Sequence, residues 1–152
     1  MTRPSGSRDT SAAAVLDRLD RLAVELVAAT NSAIGEVGAG ELSFLQWRTL
    51  VVLGGADGPL RLHEIAERVG ASMPSASRLV ERMHRRGLVS SERDPGDGRA
   101  RLITLTEQGE LVRSRVVARR RSIIEAGIRG VPTSVGLADE LDRILEGLLR
   151  PK

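Results

Sequence analysis

The sequence predicts a mainly α-helical (α+β) domain that carries one short antiparallel β-hairpin. In several segments, apolar residues recur at spacings of three and four, the pattern of helices that bury one face. Between two of these segments, a run of turn-forming residues separates two short extended stretches. Only 1% of the 152 residues are aromatic while 41% are hydrophobic, so an aliphatic core suited to helix packing is expected. This length supports one domain or an obligate oligomer.

The first helix is predicted from Ala12 to about Val37, after a flexible tail of residues 1–11 that is rich in Ser, Arg and Gly. Its apolar stripe consists of Val15, Leu19, Leu22, Leu26, Ala29, Ala33 and Val37. A glycine cluster at positions 35, 38 and 40 marks its end, because glycine is unfavourable inside a helix and common just after one.

Two shorter helices are predicted next. Ser43 and Gln46 are spaced as in a capping box, so one helix begins after Ser43, and it ends in the glycine-rich breaker of residues 54–59. Its inward side chains are Trp47, Leu50, Val51 and Leu53. The following helix stops at Gly70 and buries Leu62, Ile65, Ala66 and Val69.

The fourth helix is predicted from Ser72, its N-cap, to about Arg86. Pro74 is tolerated in the first turn, where the backbone amide has no helical partner. The buried stripe is Ala76, Leu79, Val80 and Met83, and the opposite face carries Ser75, Arg78, Arg82 and Arg85. This helix therefore presents a polar, arginine-bearing face.

A hairpin and two further helices complete the chain. Extended segments at residues 88–93 and 100–105 flank a loop of Asp, Pro and Gly, which is a hairpin signal. Thr106 caps a long helix predicted over residues 107–129. The last helix is predicted over residues 134–149, with an apolar stripe of Leu137, Leu141, Ile144, Leu145 and Leu148.

The two helices that flank Gly70, followed at once by the hairpin, have the order of a winged helix-turn-helix. Arginines such as Arg78 and Arg82 have the reach to contact guanine edges or the phosphate backbone. In the hairpin, Asp97 precedes Arg99 by two residues and can hold its guanidinium in an orientation suited to a narrow minor groove. We favour a DNA-reading unit; the alternatives are a solvated charged helix face and a local ion pair in an exposed hairpin.

Six motifs between Leu42 and Gly109 carry a resemblance to a known family. They are LSFLQWR (42–48), IAERV (65–69), PSASRLV (74–80), RGLV (86–89), RDPGDGRA (93–100) and LTEQG (105–109). This stretch resembles the MarR-type bacterial transcriptional regulators, and the order of helices extends the resemblance to nearly the whole chain. It implies a winged helix-turn-helix region at residues 41–105 with a two- to three-stranded antiparallel wing. It also implies a homodimer, joined through a helical dimerisation region of residues 12–40 and 106–152.

The resemblance implies that the partner is double-stranded DNA with a pseudo-palindromic operator. The residues that match the family's DNA contacts are Ser72, Pro74, Ser75, Ser77, Arg78, Arg82, Asp97 and Arg99. The sequence departs from the family pattern at two positions. Gly98 stands where many members carry a second basic wing residue, and Arg61 stands where a Ser or Thr usually caps the preceding helix.

Members of the family usually repress genes and are released by small, often anionic or phenolic ligands. Trp47 and Arg48 are candidates to border such an effector pocket, although ordinary core packing is the favoured interpretation for Trp47. The long helix also carries a basic cluster of Arg113, Arg115, Arg119, Arg120 and Arg121. This cluster fits phosphate or effector binding, and pairing with acids of the partner helix is the ordinary alternative.

The composition argues against several other functions. The chain has no Cys, which excludes disulfide scaffolds and thiol-based redox sensing. His63 and His84 are the only histidines and lack metal-ligand spacing, and no nucleophile–base pair is visible, so neither a metal, a cofactor nor catalysis is expected. No apolar run approaches a membrane span, and a cytoplasmic location is expected.

Two alternatives to a DNA-binding repressor remain, a winged-helix protein-interaction module and a DNA-binding activator.

Overall fold

The structure, a computed structural model, describes residues 12–37, 42–132 and 135–149. The predicted tail and part of the glycine cluster after the first helix lie outside the described residues. Within the described ranges there are six helices: α1 (Ala12–Glu36), α2 (Phe44–Gly54), α3 (Leu62–Val69), α4 (Met73–Arg85), α5 (Glu107–Gly127) and α6 (Val135–Leu149). The strands are β1 (Leu60–Arg61), β2 (Val89–Asp94) and β3 (Asp97–Leu105). The mainly helical fold with a small antiparallel wing is confirmed.

Two of the predicted helix caps form as the spacing indicated. The Ser43 hydroxyl accepts from the Gln46 backbone amide at 3.2 Å, while Gln46 Oε1 accepts from the Ser43 amide at 2.9 Å, which completes the capping box of α2. Thr106 Oγ1 accepts from the Gly109 amide at 3.0 Å and donates to the carbonyl of Gly87 at 2.5 Å. The start of α5 is thereby fixed to the end of α4.

The cap of α4 differs from the prediction in its chemistry. Ser72 occupies the N-cap position, but its hydroxyl makes no capping bond to the backbone. It donates instead to the hydroxyl of Ser75 at 3.0 Å. Pro74 lies in the first turn as predicted. The first turn of α4 therefore presents a pair of linked hydroxyls at the protein surface.

The three strands form one antiparallel sheet in the order β1-β3-β2. The hairpin is tighter than predicted, because β3 begins at Asp97 rather than at Ala100 and only Pro95 and Gly96 separate it from β2. Asp94 is paired with Asp97, next to an irregularity in the register after Arg93. The charged residues that the sequence assigned to a loop therefore continue the ladder.

The core is aliphatic, as the composition predicted, and it joins the sheet to helices α1 to α5. Its fully buried side chains include Leu50, Ile65, Leu79, Met83, Ile103 and Val116. Leu88 follows Gly87, which adopts a left-handed conformation with φ of +69° where α4 ends. Because L-residues rarely adopt this conformation, glycine is required where the chain turns from α4 into the wing.

Apolar side chains are also exposed along α1 and α6. Those on α1 are Val15, Leu16, Leu22, Val24 and Val27, and those on α6 are Leu137, Leu141 and Leu145. The apolar stripe predicted for α6 is thus largely exposed in the single chain. Among the described residues, no helix is long and apolar enough to cross a bilayer.

Candidate nucleic-acid interface

Helix α4 separates a buried face from a polar one, as predicted. Ala76, Leu79, Val80 and Met83 are buried against the core. Of the residues predicted to contact DNA, Ser72, Pro74, Ser77, Arg78 and Arg82 are exposed, and Ser75 is half-buried. The core contacts thus fix the rotation of α4 about its axis, and this rotation exposes the polar face.

Ser77 is separated from the other predicted contacts on α4. It lines a groove of about 530 Å³ between α4 and the wing, together with Met73, Glu81, His84 and Arg101. Ser75, Arg78 and Arg82 lie on the other side of the helix, given its periodicity of 3.6 residues per turn. The predicted contacts therefore divide into an arginine-bearing face and one hydroxyl that faces the wing.

The wing is fastened to the start of α3 by Arg61 and Asp94. Arg61 donates from Nε and Nη2 to Asp94 Oδ2 at 2.9 and 2.5 Å. The other carboxylate oxygen, Oδ1, accepts from the backbone amide of Gly96 at 2.8 Å. The Gly96 amide and, after it, the Arg61 guanidinium hold the pKa of the buried Asp94 carboxyl below its usual value. The charge of Asp94 therefore orders the turn and the orientation of the wing together.

Sequence reasoning missed this contact and treated Arg61 only as a departure at a helix cap. Arg61 does stand at the N-cap of α3, where its backbone amide donates to Glu64 Oε2 at 2.7 Å. Its side chain is free to reach the wing because β1 pairs with β3, with Arg61 opposite Leu102. No local spacing in the sequence reports such a pairing.

Two arginines lie opposite each other in the ladder of the wing, Arg93 on β2 and Arg101 on β3. Arg101 is turned toward Ser91, donating to its hydroxyl at 2.6 Å and to its carbonyl at 2.7 Å. Asp97 begins β3, and the backbone of Arg99 continues it. The side chain of Arg99 lies outside the described part of the structure, so the hold of Asp97 on Arg99 stays a prediction.

Trp47 and Arg48, the predicted effector residues, point in different directions. Trp47 is buried, with its ring centroid 5.9 Å from that of Phe44. Arg48 is exposed and donates to the carbonyl of Arg68 at 3.2 Å. The structure does not bring the two side chains together.

Arg120 of α5 lies beside Trp47 instead, with its Cζ atom 5.8 Å from the ring centroid. Among the residues that the structure describes, Trp47 Nε1 and Arg120 Nε are buried donors without a hydrogen-bond partner. Unpaired buried donors are costly, so two of them side by side mark a place where an acceptor is favoured. The sequence placed Arg120 only within a basic cluster, because nothing in its spacing relates it to Trp47.

Other arginines of the basic cluster have partners within the chain. Arg119 pairs with Glu36 of α1, and Arg113 donates from Nε to Glu110 Oε2 at 2.8 Å. The pKa of the Glu110 carboxyl is lowered by Arg113. Arg119 therefore pairs with an acid on another helix of the same chain and Arg113 with an acid on its own helix, and pairing with acids of the partner helix stays a prediction.

The two histidines lie apart from any group of metal-binding side chains in the described residues. Both are exposed, and His84 Nδ1 lies 3.0 Å from the carbonyl oxygen of Val89. This contact positions the imidazole at the junction of α4 and β2.

Comparison with known proteins agrees with this geometry. The family model described as "MarR family" matches residues 41–100. The chain is 27% identical over 124 residues to the HTH-type transcriptional regulator YfiV of Bacillus subtilis, covering 78% of this chain and 72% of that protein.

Two solved structures extend the comparison. RV1404 from Mycobacterium tuberculosis is 27% identical with a TM-score of 0.79, and the match covers 93% of this chain and 97% of that one. CouR from Rhodococcus jostii RHA1, bound to p-coumaroyl-CoA, is 25% identical with a TM-score of 0.70. The match covers 88% of this chain and 90% of that one. Residues 41–100 thus match the MarR family model, and most of the chain is similar to an HTH-type transcriptional regulator and to these two solved structures.

Proposed function

We propose that the protein is a homodimeric, sequence-specific DNA-binding regulator, and that it represses transcription until a small anionic or phenolic effector releases it. The observation that carries this proposal is the exposed hydroxyl- and arginine-bearing face of α4 beside a wing fixed by Arg61 and Asp94. Because its target is the chromosome, we assign it to the cytoplasm.

The face of α4 suits the major groove. Ser72 and Ser75 are at the helix start, where small hydroxyls allow close approach to phosphates and bases, and Arg78 and Arg82 follow on the same side. In the wing, Arg93 and Arg101 stand opposite each other, and an anion bound beside this pair relieves the repulsion between their like charges. Asp97 and Arg99 are proposed to reach the adjacent minor groove from the wing tip.

The exposed apolar faces of α1 and α6 support the proposed homodimer, because a second copy of the chain offers the same faces in return. In such a dimer, the two α4 helices enter successive major grooves about 34 to 36 Å apart, which requires a pseudo-palindromic operator. An effector that stabilises a different spacing weakens DNA binding, and linkage requires DNA to weaken effector binding by the same factor.

The unpaired donors of Trp47 and Arg120 support an effector site between α2 and α5. An anionic group satisfies both donors, and a phenolic ring stacks against the indole. CouR binds p-coumaroyl-CoA, a ligand with both a phenolic ring and negative charge. For Arg48 an effector role stays a prediction, since its guanidinium lies at the carbonyl of Arg68.

The test is an anisotropy titration of purified protein against selected genomic duplexes and random duplex, each at several salt concentrations. We expect a steep fall of log affinity with log salt and tighter binding to the selected sites. A protein-interaction module that binds an acidic partner has no reason to discriminate between the duplexes. A reporter gene transcribed with and without the protein separates repression from activation.

A further inference from the structure

The arginine-bearing face of α4 continues beyond Arg82 into a second concave site. A cavity of about 440 Å³ at the end of the helix is lined by Ser43, Gln46, Arg82, Arg85 and Arg86. Arg85 and Arg86 stand three and four residues after Arg82, so all three guanidinium groups project from the same side of the helix end. Arg82 and Arg85 are exposed to solvent.

The site is organised by the start of α2. Gln46 is 5% exposed, and its Oε1 atom accepts from the Ser43 amide at 2.9 Å and, more weakly, from Arg86 Nη1 at 3.4 Å. The capping box therefore has a second role, which is to hold the guanidinium of Arg86 at the edge of the cavity. The Ser43 hydroxyl lines the same cavity while it accepts from the Gln46 amide.

Three guanidinium groups around one concave space repel each other, and an anion bound among them relieves that repulsion. Arginine presents a planar fork of donors that matches the oxygens of a phosphate group. The ordinary explanation for these side chains is a favourable interaction with the carbonyl end of α4. That explanation does not account for Gln46, which draws Arg86 toward the start of α2.

The length of α4 would suit this site to the rim of a major groove that the helix enters. A helix of 13 residues is about 20 Å long, whereas the major groove is about 12 Å wide. If the first turns of α4 lie among the bases, its last turn reaches the sugar-phosphate backbone. We propose that Arg82, Arg85 and Arg86, with Ser43, bind a backbone phosphate of duplex DNA that flanks the bases read by α4. This inference rests on the proposed function.

The first experiment measures duplex affinity across a salt series for the wild-type protein, Arg85→Gln and Arg86→Gln. Each lost phosphate contact lowers the log–log salt slope by about 0.9; because the proposed dimer carries the site twice, we expect a drop of about 1.8, which relative to 1 M salt is roughly a 60-fold loss of affinity at 0.1 M. We expect this loss to be equal on selected and random duplexes, because a phosphate carries no sequence information. Arg129→Gln, at an exposed position after α5, removes the same charge and is expected to leave the slope unchanged.

If Arg85→Gln and Arg86→Gln show the same salt slope as Arg129→Gln and the wild type, this inference is wrong, while the proposed function stands. A wild-type protein without a steep salt slope overturns the proposed function itself. Circular dichroism melts of all variants identify any loss of folding, and Arg85→Lys provides a second variant that keeps the charge. We expect Arg85→Lys to keep the slope.

A second experiment separates backbone phosphate from free phosphate. Single phosphates in the duplex are replaced by neutral methylphosphonates. We expect one position in each half-site at which this replacement weakens binding of the wild-type protein but causes no further loss of affinity in Arg85→Gln. Inorganic phosphate is titrated in parallel at constant ionic strength and followed by amide NMR shifts. If inorganic phosphate binds saturably in a way that depends on Arg85, and the salt slope of duplex binding is unchanged in Arg85→Gln, then the cavity is a site for a free anion. This result overturns the assignment to a backbone phosphate.

Discussion

The carboxylate of Asp94 and the guanidinium of Arg61 join the tip of the wing to the start of α3 across 33 positions of sequence. Two hydrogen bonds at 2.9 and 2.5 Å make this contact, and Gly96 adds a third to the same carboxylate. Because α3 packs against α4, the contact also sets the angle between the wing and the face of α4. The ion pair thus adds to the β1–β3 pairing and the shared core in fixing the wing and the face of α4 relative to each other.

This contact predicts a pH dependence of stability. The pKa of Asp94 is lowered in the folded protein by the Gly96 amide and by Arg61, so the unfolded chain binds this proton more readily. The resulting stabilisation is fully present above the unfolded pKa, near 3.8, and is lost as the pH falls through the folded pKa. We expect Asp94→Asn to be less stable than the wild type at neutral pH and to lose less stability on acidification.

Urea unfolding at a series of pH values between about 7 and 2.5 measures this difference. Asp57→Asn, at an exposed loop position, is the matched control and should follow the wild-type curve. Parallel curves for the wild type and Asp94→Asn contradict the prediction.

Much of the fold follows from short-range patterns. The capping box of Ser43 and Gln46, the cap at Thr106 and the buried stripe of α4 each depend on residues within one or two turns, so spacing alone revealed them. The relationships that sequence reasoning missed are long-range. Strand β1 is two residues long, and its pairing with β3 has no local signal.

The candidate sites divide in the same way. The arginine-bearing face of α4 was visible from helical periodicity, because a helix fixes which side chains share a face. The contact of Trp47 with Arg120 depends on how α5 lies across α2, and only tertiary packing determines that. Arg48 was assigned to the same pocket because it is adjacent to Trp47 in sequence, although neighbouring residues on a helix point in different directions.

Gly109 is predicted to be irreplaceable for steric reasons. A Cβ atom at this buried position would overlap the backbone carbonyl oxygen of Leu88, which cannot move without displacing the start of the wing. We expect Gly109→Ala to lower the free energy of unfolding by about 1 to 3 kcal/mol. Gly127→Ala, on the same helix, meets no atom within 4 Å and should be neutral or stabilising by up to about 1 kcal/mol. Equal stability of the two variants in urea unfolding would contradict the steric argument.

Arg78 is predicted to read bases. It is exposed near the middle of α4, on the same face as Ser75. We expect Arg78→Ala to weaken binding to the best selected site by about 1 to 3 kcal/mol and to relax the base preference at one position. Random duplex should lose much less, and Arg129→Ala should change neither affinity. An equal loss on both duplexes makes Arg78 a phosphate anchor instead.

Arg120 is predicted to couple stability to the effector. Among the described residues, Arg120 Nε and the neighbouring Trp47 Nε1 are buried without hydrogen-bond partners. Because Arg120→Met removes one of these unpaired donors, it should raise the melting temperature of the ligand-free protein. The same variant should lose the response to phenolic carboxylates. Trp47 is the only tryptophan in the chain, so its fluorescence reports binding at this place directly.

In the wild type we expect phenolic carboxylates and p-coumaroyl-CoA to quench this fluorescence, and ligand at 100 times its Kd to stabilise the fold by about 2.7 kcal/mol. Arg121→Met removes an adjacent, exposed arginine that pairs with Glu125, and it should keep both responses. If Arg120→Met binds these ligands as the wild type does, the effector is not held by Arg120. If the variant is instead less stable than the wild type without ligand, its guanidinium already has a compensating partner in the free protein, and the argument from unpaired donors fails.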